Sequence, residues 1–139
     1  MGLTYATLEV INATDNGMAR RNLMPEADIR RTQVRMLVDS GAYMLCLNEH
    51  IQAQLGLDII DSMEGELADG SVVKMPVAGP VDIQFGNRKT SCRAVILPGN
   101  AEPLLGAIPV GDMDVLINPR TQELIINPAN PYLAKKSLK

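Results

Sequence analysis

Apolar and polar residues alternate over several stretches of the chain, and this alternation predicts short β-strands. Successive side chains of a strand point to opposite faces, so a half-buried strand repeats with a period of two. Residues 94–97 are instead continuously apolar, which is typical of a strand buried on both faces. The predicted strands cover residues 4–13, 29–39, 81–85 and 91–98.

Turn residues between apolar segments predict three hairpins, one of which turns at Gly86 and Asn87 between residues 81–85 and 91–98. Asp69 and Gly70 form the tip of a hairpin over residues 66–80, because an Asp-Gly pair readily adopts the positive φ angles of a tight turn. The third hairpin spans residues 115–126, with its turn at residues 118–121. Together with the alternating segments, these hairpins predict many short strands in close succession.

Helical signals are few. Residues 47–57 predict a helix that Asn48 caps and Gly56 ends, and a shorter helix is predicted over residues 108–112. Residues 17–28 contain scattered apolar residues and a proline, so we expect a long, mobile loop there. Many short strands with one or two short helices predict an all-β barrel or sandwich.

Length and composition predict one domain. The 139 residues can bury a core, and 46% of them are hydrophobic. The chain has three tyrosines, one phenylalanine and no tryptophan, so the core must be built from Val, Ile, Leu, Met and Ala. We expect a single domain over residues 1–139, with its core in about residues 4–128 and a flexible tail over residues 129–139.

Charge and hydropathy exclude several classes of partner. A net charge of −3 and a pI of about 5.1 argue against nucleic acid and against anionic membranes as partners. No apolar run reaches the roughly 20 residues of a membrane-spanning helix, and the first residues lack the pattern of a signal peptide. We therefore expect a cytoplasmic protein with Cys46 and Cys92 as reduced thiols.

Asp39, Ser40 and Gly41 form the most informative motif of the chain. They follow the apolar residues 34–38, where a carboxylate is costly to bury unless hydrogen bonds or a partner carboxylate hold it. Gly41 allows another backbone or a substrate to come close. One interpretation is that Asp39 is a functional carboxylate. The simplest alternative is an ordinary turn, in which Asp and Ser side chains bond to the backbone. The motif alone leaves both interpretations open.

The order of elements around this motif resembles the retropepsin-like aspartic proteases, the half-size relatives of pepsin. In that family an apolar strand ends in Asp-Thr/Ser-Gly-Ala, a flap hairpin follows, and an apolar-apolar-Gly segment crosses behind the first loop. The matching segments here are residues 38–42, 67–77 and 104–106, and the stretch from residue 105 to residue 119 is similar to small bacterial members. The resemblance spans residues 4–128 and implies a retropepsin-like acid protease barrel with a flap hairpin.

The resemblance also implies an aspartic endopeptidase that is active as a homodimer on polypeptide substrates. The chemistry needs two carboxylates on one water, whereas this chain has one such loop, so each chain would give one Asp. Two carboxylates about 3 Å apart share a single proton. The implied residues are Asp39 as the catalytic acid, Ser40, Gly41 and Ala42 as support for its loop, Asp69, Gly70 and Ser71 in the flap, and Leu104, Leu105 and Gly106 behind the site.

Three further expectations follow. Residues 124–126 are a candidate interface strand of the dimer. Met44 and Met75 are candidates for the substrate groove. Residues 17–28 could also be a segment that the enzyme cleaves in itself. Tyr43 and Met44 depart from the family pattern, since viral members usually carry acids after the alanine that corresponds to Ala42.

A non-catalytic module of the same fold is the alternative function. Such a module would bind peptides or a partner protein, with Asp39 merely completing a turn. Cys46 and His50 lie four residues apart, but no third ligand accompanies them, so the sequence predicts neither a metal ion nor a cofactor.

Overall fold

The computed structural model describes residues 2–138, so Met1 and Lys139, the ends of the predicted domain, lie outside the described residues. Nine strands and three short α-helices are present in this part of the chain. The strands are β1 (Tyr5–Asn12), β2 (Arg31–Val38), β3 (Leu45–Asn48), β4 (Ile59–Glu66), β5 (Val72–Phe85), β6 (Arg88–Leu97), β7 (Leu104–Leu105), β8 (Val115–Asn118) and β9 (Glu123–Ile126). The helices are α1 (Ala13–Arg20), α2 (Glu49–Leu55) and α3 (Ala107–Met113), and a 3-10 turn covers Glu26–Asp28.

Strand pairing closes most of the sheet into a ring. Seven strands lie in the order β1-β2-β7-β3-β6-β5-β4, and an additional pairing of β1 with β5 closes the ring. Strands β8 and β9 form a separate antiparallel hairpin, as predicted for residues 115–126. The predicted all-β barrel with a few short helices is confirmed.

Strand β5 belongs to both the barrel and a projecting hairpin. Residues 72–78 pair with β4, whereas residues 81–84 pair with β1 along the same edge. The register of β5 against β6 shifts between Ala78 and Val81, at Gly79 with φ +143°. The first half of β5 therefore leaves the barrel with β4 as a hairpin. Its tip lies at Asp69 and Gly70 as predicted, but its first strand is Ile59–Glu66, which the prediction of a hairpin over residues 66–80 did not include. Pairing with β6 continues on both sides of the shift, so residues 81–85 are not the separate strand expected.

The barrel interior is aliphatic. Leu8, Val10, Met36, Ile83 and Leu105 are fully buried, and no aromatic side chain belongs to the buried core of the described residues. Each of these side chains contributes about 1.5–3 kcal/mol when removed from water. The predicted composition of the core is confirmed. No helix within residues 2–138 is long and apolar enough to cross a membrane.

The prediction of a long, mobile loop over residues 17–28 was wrong. Helix α1 begins directly after β1, because the side chain of Asn12 accepts a hydrogen bond from the backbone N–H of Asp15. The Asp15 carboxylate, 3% exposed, accepts from Nε of Arg30 at 2.8 Å and from the Arg30 backbone N–H at 3.1 Å. This contact ties both ends of the segment together, and the apparent turn signal at Asp15 lies inside the helix.

Helix α2 starts later than predicted, because strand β3 occupies the first residues of the expected helix. Its predicted capping residues are confirmed. The Asn48 side chain accepts from the backbone N–H of Ile51 at 2.9 Å. Gly56 ends the helix at φ +60°, a conformation that glycine adopts without the steric cost of a Cβ.

Residues after β9 contact the rest of the domain through Asp114, which follows α3. The side chains of Asn127 and Asn130 donate to its carboxylate at 2.9 and 2.8 Å, and the backbone N–H of Lys135 donates at 3.1 Å. Leu124 is 5% exposed and packs into the core of its own chain. The flexible tail and the interface role of residues 124–126 stay predictions.

Candidate active site

The loop after β2 is held by backbone hydrogen bonds from both sides. The N–H of Val38 donates to the carbonyl of Thr4 at 2.8 Å, and the N–H of Asp39 donates to the carbonyl of Leu105 at 3.0 Å. The chain then turns, because the N–H of Ala42 donates to the Asp39 carbonyl at 3.1 Å. The position of Asp39 is therefore fixed by Thr4, just before β1, and by β7, and not by its own turn alone.

The Asp39 side chain folds back onto this turn. Its Oδ1 accepts a hydrogen bond from the backbone N–H of Gly41 at 2.9 Å, and the side chain is half-buried. A Cβ on residue 41 would lie 3.1 Å from that oxygen, closer than most Cβ contacts, so glycine suits the position. Ser40 and Gly41 are exposed at the surface. The carboxylate is thus positioned by the chain but accessible from outside.

Leu104, Leu105 and Gly106 lie directly behind this loop, as the resemblance implies. Strand β7 runs between β2 and β3, parallel to the first and antiparallel to the second. A Cβ on Gly106 would lie 2.3 Å from the carbonyl oxygen of Met44, so only glycine allows the two backbones to come this close. The structure brings together residues that are more than sixty positions apart in the sequence.

Two hydrogen bonds join the start of α3 to the end of the Asp39 loop. The N–H of Ala107 donates to the carbonyl of Ala42 at 2.9 Å, and the N–H of Ile108 donates to the carbonyl of Tyr43 at 3.0 Å. The helix and the loop therefore form one unit. Tyr43 and Ile108 leave apolar surface in solvent beside Asp39, with exposed fractions of 73% and 46%.

The tip of the β4–β5 hairpin is held by local contacts. The N–H of Gly70 donates to the carbonyl of Leu67, and Oδ1 of Asp69 accepts from the backbone N–H of Ser71 at 2.9 Å and from its hydroxyl at 2.6 Å. The bond from the Ser71 hydroxyl is the main reason why the pKa of the Asp69 carboxyl lies below its ordinary value. Asp69, Gly70 and Ser71 are all exposed.

An open cavity of about 670 Å³ lies between the hairpin and the Asp39 loop. It is largely apolar and has the size of a typical ligand site. Met44 and Met75, expected at the substrate groove, both line it. The lining residues are Ala42, Tyr43, Met44, Leu45, Cys46, Met63, Gly65, Glu66, Met75, Cys92, Arg93, Val95, Leu97, Ile108 and Pro109.

Both cysteines lie in the wall of this cavity, which sequence reasoning did not anticipate. Burial raises the pKa of the Cys46 thiol, and the negative charge of Asp39 raises it further. Burial raises the pKa of Cys92 to about 12. Cys92 is only half-buried, because the cavity lies beside β6. No sequence signal marks it, because the cavity exists only when β3, β6 and the hairpin have come together.

Metal-binding groups are not gathered at this site. Within residues 2–138, no three or more His, Cys, Asp or Glu side chains form a group that could hold a metal ion. Cys46 lies in β3 and His50 is exposed on α2, so the four-residue spacing does not correspond to one helix face.

Comparison with known proteins links the site to one family. The model of the gag-polyprotein putative aspartyl protease family matches residues 26–108, which is 83 of the 139 residues. The match includes the Asp39 loop, the hairpin and the segment from Leu104 to Gly106. No curated protein sequence matches the chain.

Among solved structures, the chain is similar to a retropepsin-like aspartic protease from Rickettsia conorii. The two chains are 15% identical with a TM-score of 0.43, and the similarity covers 76% of this chain and 80% of the other. Since the family model spans more than half of its residues, this chain belongs to the gag-polyprotein putative aspartyl protease family.

Proposed function

We propose that the protein is an aspartic endopeptidase that acts as a homodimer, with Asp39 of each chain as the catalytic acid. The observation that carries this proposal is the position of Asp39. Its backbone is hydrogen-bonded to Leu105 from behind, while its carboxylate remains half-exposed beside a large apolar cavity. Such a carboxylate can contact a substrate without a conformational change in the barrel.

The dimer is proposed because one chain carries half of the chemistry. A two-fold axis next to the exposed Ser40 and Gly41 would bring two Asp39 side chains together, with the same patch on both partners. The apolar surface of Tyr43 and Ile108 beside the loop supports this arrangement, because a second chain or a bound peptide would remove it from water.

The proposed chemistry uses the pair of carboxylates as one unit. Two adjacent carboxylates cannot both ionise, so one is charged and one is protonated. The charged member takes a proton from a water molecule, whose oxygen attacks the scissile carbonyl carbon, while the protonated member donates to the carbonyl oxygen. Collapse of the tetrahedral intermediate breaks the C–N bond, and the amine leaves with a proton. Asp69, Gly70 and Ser71 would close over the extended peptide and bond to its backbone.

Cleavage of an unbiased peptide library by wild type and by Asp39→Asn tests the proposal, between about pH 4 and pH 7. We expect cleavage by wild type that falls by at least about a hundredfold in the variant. Asp28→Asn is the matched control, because Asp28 is an exposed aspartate in the 3-10 turn, and it should cleave like wild type.

The second candidate is a peptide-binding module of the same fold. The apolar cavity favours it, since none of its lining residues is Asp39 and binding there needs no catalysis. Peptide binding with no cleavage by wild type, at protein concentrations where the dimer is measured, would select the module over the endopeptidase.

A further inference from the structure

The cavity beside the Asp39 loop is rich in sulfur. The chain has eight methionines and two cysteines, ten sulfur-containing residues in all, and five of them line this one cavity. They come from the segment after the loop, from β3, from both strands of the hairpin and from β6, so several elements contribute sulfur-containing residues to the lining. The five residues are Met44, Cys46, Met63, Met75 and Cys92.

The cavity wall is close to neutral. Both thiols have raised pKa values because they are buried, so they are protonated at ordinary pH and act as small apolar groups. Glu66 and Arg93 are the charged lining residues, and Nη1 of Arg93 already bonds to Asp61 at 3.0 Å. An uncharged apolar group is therefore the chemistry that suits the interior.

The cavity has a fixed position relative to Asp39. Ala42 lies three residues after Asp39 and lines the cavity itself. The hydrogen bonds from Ala107 to Ala42 and from Ile108 to Tyr43 hold the adjoining wall in place. An extended peptide whose backbone passes Asp39 would thus direct a nearby side chain into the cavity.

Sulfur distinguishes between rings of the same shape. Thioether and thiol sulfur is polarizable and contacts the positive edge of an aromatic ring favourably, a gain that a saturated ring does not offer. We propose, on the basis of the function proposed above, that this cavity is the specificity pocket and takes an aromatic side chain in preference to a saturated one of equal size.

Binding to a protein that does not turn over tests the pocket apart from the chemistry. Fluorescently labelled octapeptides of alanine and serine, with one phenylalanine scanned through the positions, are titrated into Asp39→Asn. At the best position phenylalanine is then exchanged for cyclohexylalanine. We expect the phenylalanine peptide to bind roughly three- to tenfold more tightly. Equal or tighter binding of cyclohexylalanine would overturn the proposal, as would no binding up to about 1 mM peptide.

A sulfur-deleting variant shows whether the methionines are responsible. Met63→Leu with Met75→Leu, both in the Asp39→Asn protein, keeps the side chains apolar and of similar volume. The advantage of phenylalanine over cyclohexylalanine should become smaller, because two of the five sulfur-containing lining residues are removed. The matched control is Met18→Leu, on α1 and outside the cavity lining, which should keep the full advantage. An advantage that is unchanged in the double variant contradicts the proposal.

Oxidation rates locate the ring. Mild peroxide converts methionine to its sulfoxide, and mass spectrometry gives the rate at each residue. Bound phenylalanine peptide should slow oxidation of Met44, Met63 and Met75 but not of Met18. Unchanged oxidation rates at all four methionines, with the peptide bound, would mean that the phenylalanine ring lies outside the cavity and would contradict the proposal.

These results separate the pocket from the proposed activity. If wild type cleaves no peptide while the preference and the protection persist, the endopeptidase fails and the pocket stands. If wild type cleaves peptides without aromatic preference, the pocket fails and the endopeptidase stands.

Discussion

Asp39 and Asp69 make nearly the same local structure in two very different places. Each carboxylate accepts a hydrogen bond at 2.9 Å from the backbone N–H two residues later, at Gly41 and at Ser71. Asp39 is also tied to β7 through Leu105, whereas the bonds that hold the Asp69 turn are local. The two turns therefore differ in their long-range contacts, which fix Asp39 but not Asp69 relative to the barrel.

The largest expected effect is on activity. Asp39→Asn should lower kcat/KM by about 10²–10⁴-fold, because it removes the group proposed to transfer protons. Asp69→Asn removes a carboxylate from the same kind of turn and should change kcat/KM only a few-fold. Steady-state hydrolysis of one good peptide measures both. Similar losses in the two variants would mean that the local structure of the turn, and not the long-range contacts behind Asp39, determines activity.

Gly106 lies behind the Asp39 loop, and Gly70 lies within the Asp69 turn. Substitution of these two glycines should give the next largest difference, in stability. Gly106→Ala would place a Cβ 2.3 Å from the Met44 carbonyl oxygen, so we expect a loss of about 3 kcal/mol in the free energy of unfolding.

Gly70→Ala is the control for this change. Gly70 has φ +85°, but a Cβ added there would meet no atom within 4 Å, so the cost should be about 1 kcal/mol. Urea unfolding followed by circular dichroism measures both variants, and equal losses would show that the close approach behind the Asp39 loop is not tight.

A third aspartate, Asp15, should contribute to stability in a way that depends on pH. Hydrogen bonds from the Arg30 side chain lower the pKa of Asp15 below its ordinary 3.8. This contact therefore stabilises the fold above that pH, and its contribution disappears as the pH falls through the lowered pKa. Asp15→Asn should cost about 1–3 kcal/mol at neutral pH, and the difference from wild type should shrink in acid.

Urea unfolding at about pH 7 and pH 3 measures this effect. Asp28→Asn, at an exposed position of the 3-10 turn, should show little difference at either pH. A constant difference between Asp15→Asn and wild type at the two pH values would mean that the Asp15 charge contributes no stability.

The smallest effect is expected at the hairpin tip. Ser71→Ala removes the hydroxyl that bonds to Asp69, so the pKa of Asp69 should rise towards its ordinary value while the melting temperature stays unchanged. An NMR titration of the Asp69 carboxyl and a thermal melt follow the two quantities. A marked loss of stability would show that the tip is tied to the rest of the domain.

Local signals were sufficient where the structure is locally determined. The alternation of apolar residues predicted most strands, and Asn48 and Gly56 marked the ends of α2. The pair Asp69-Gly70 marked a hairpin tip. Helix α1 was missed because Asp15 is held by Arg30, fifteen residues away, and no periodic pattern reports such a contact. The pairing of β5 with both β4 and β1 was also missed, because it too depends on contacts that no periodic pattern reports.

The candidate site likewise contains residues that the sequence predicted and residues that only the folded structure brings together. Asp39, Ser40 and Gly41 form a contiguous motif, and the resemblance placed Leu104 to Gly106 behind them. Met44 and Met75 were expected at the groove, but most of the cavity wall could not be predicted, because Cys92, Arg93 and Pro109 come together with them only after the barrel has closed.

Subunit mixing tests the central claim, that two chains contribute one Asp39 each. Wild type and Asp39→Asn are refolded together in equal amounts, and hydrolysis is compared with the same total of wild type, with Asp28→Asn as the mixing control. If a mixed dimer is inactive, random pairing leaves about one quarter of the wild-type rate. About one half of the rate would mean that each chain works alone and would contradict the account.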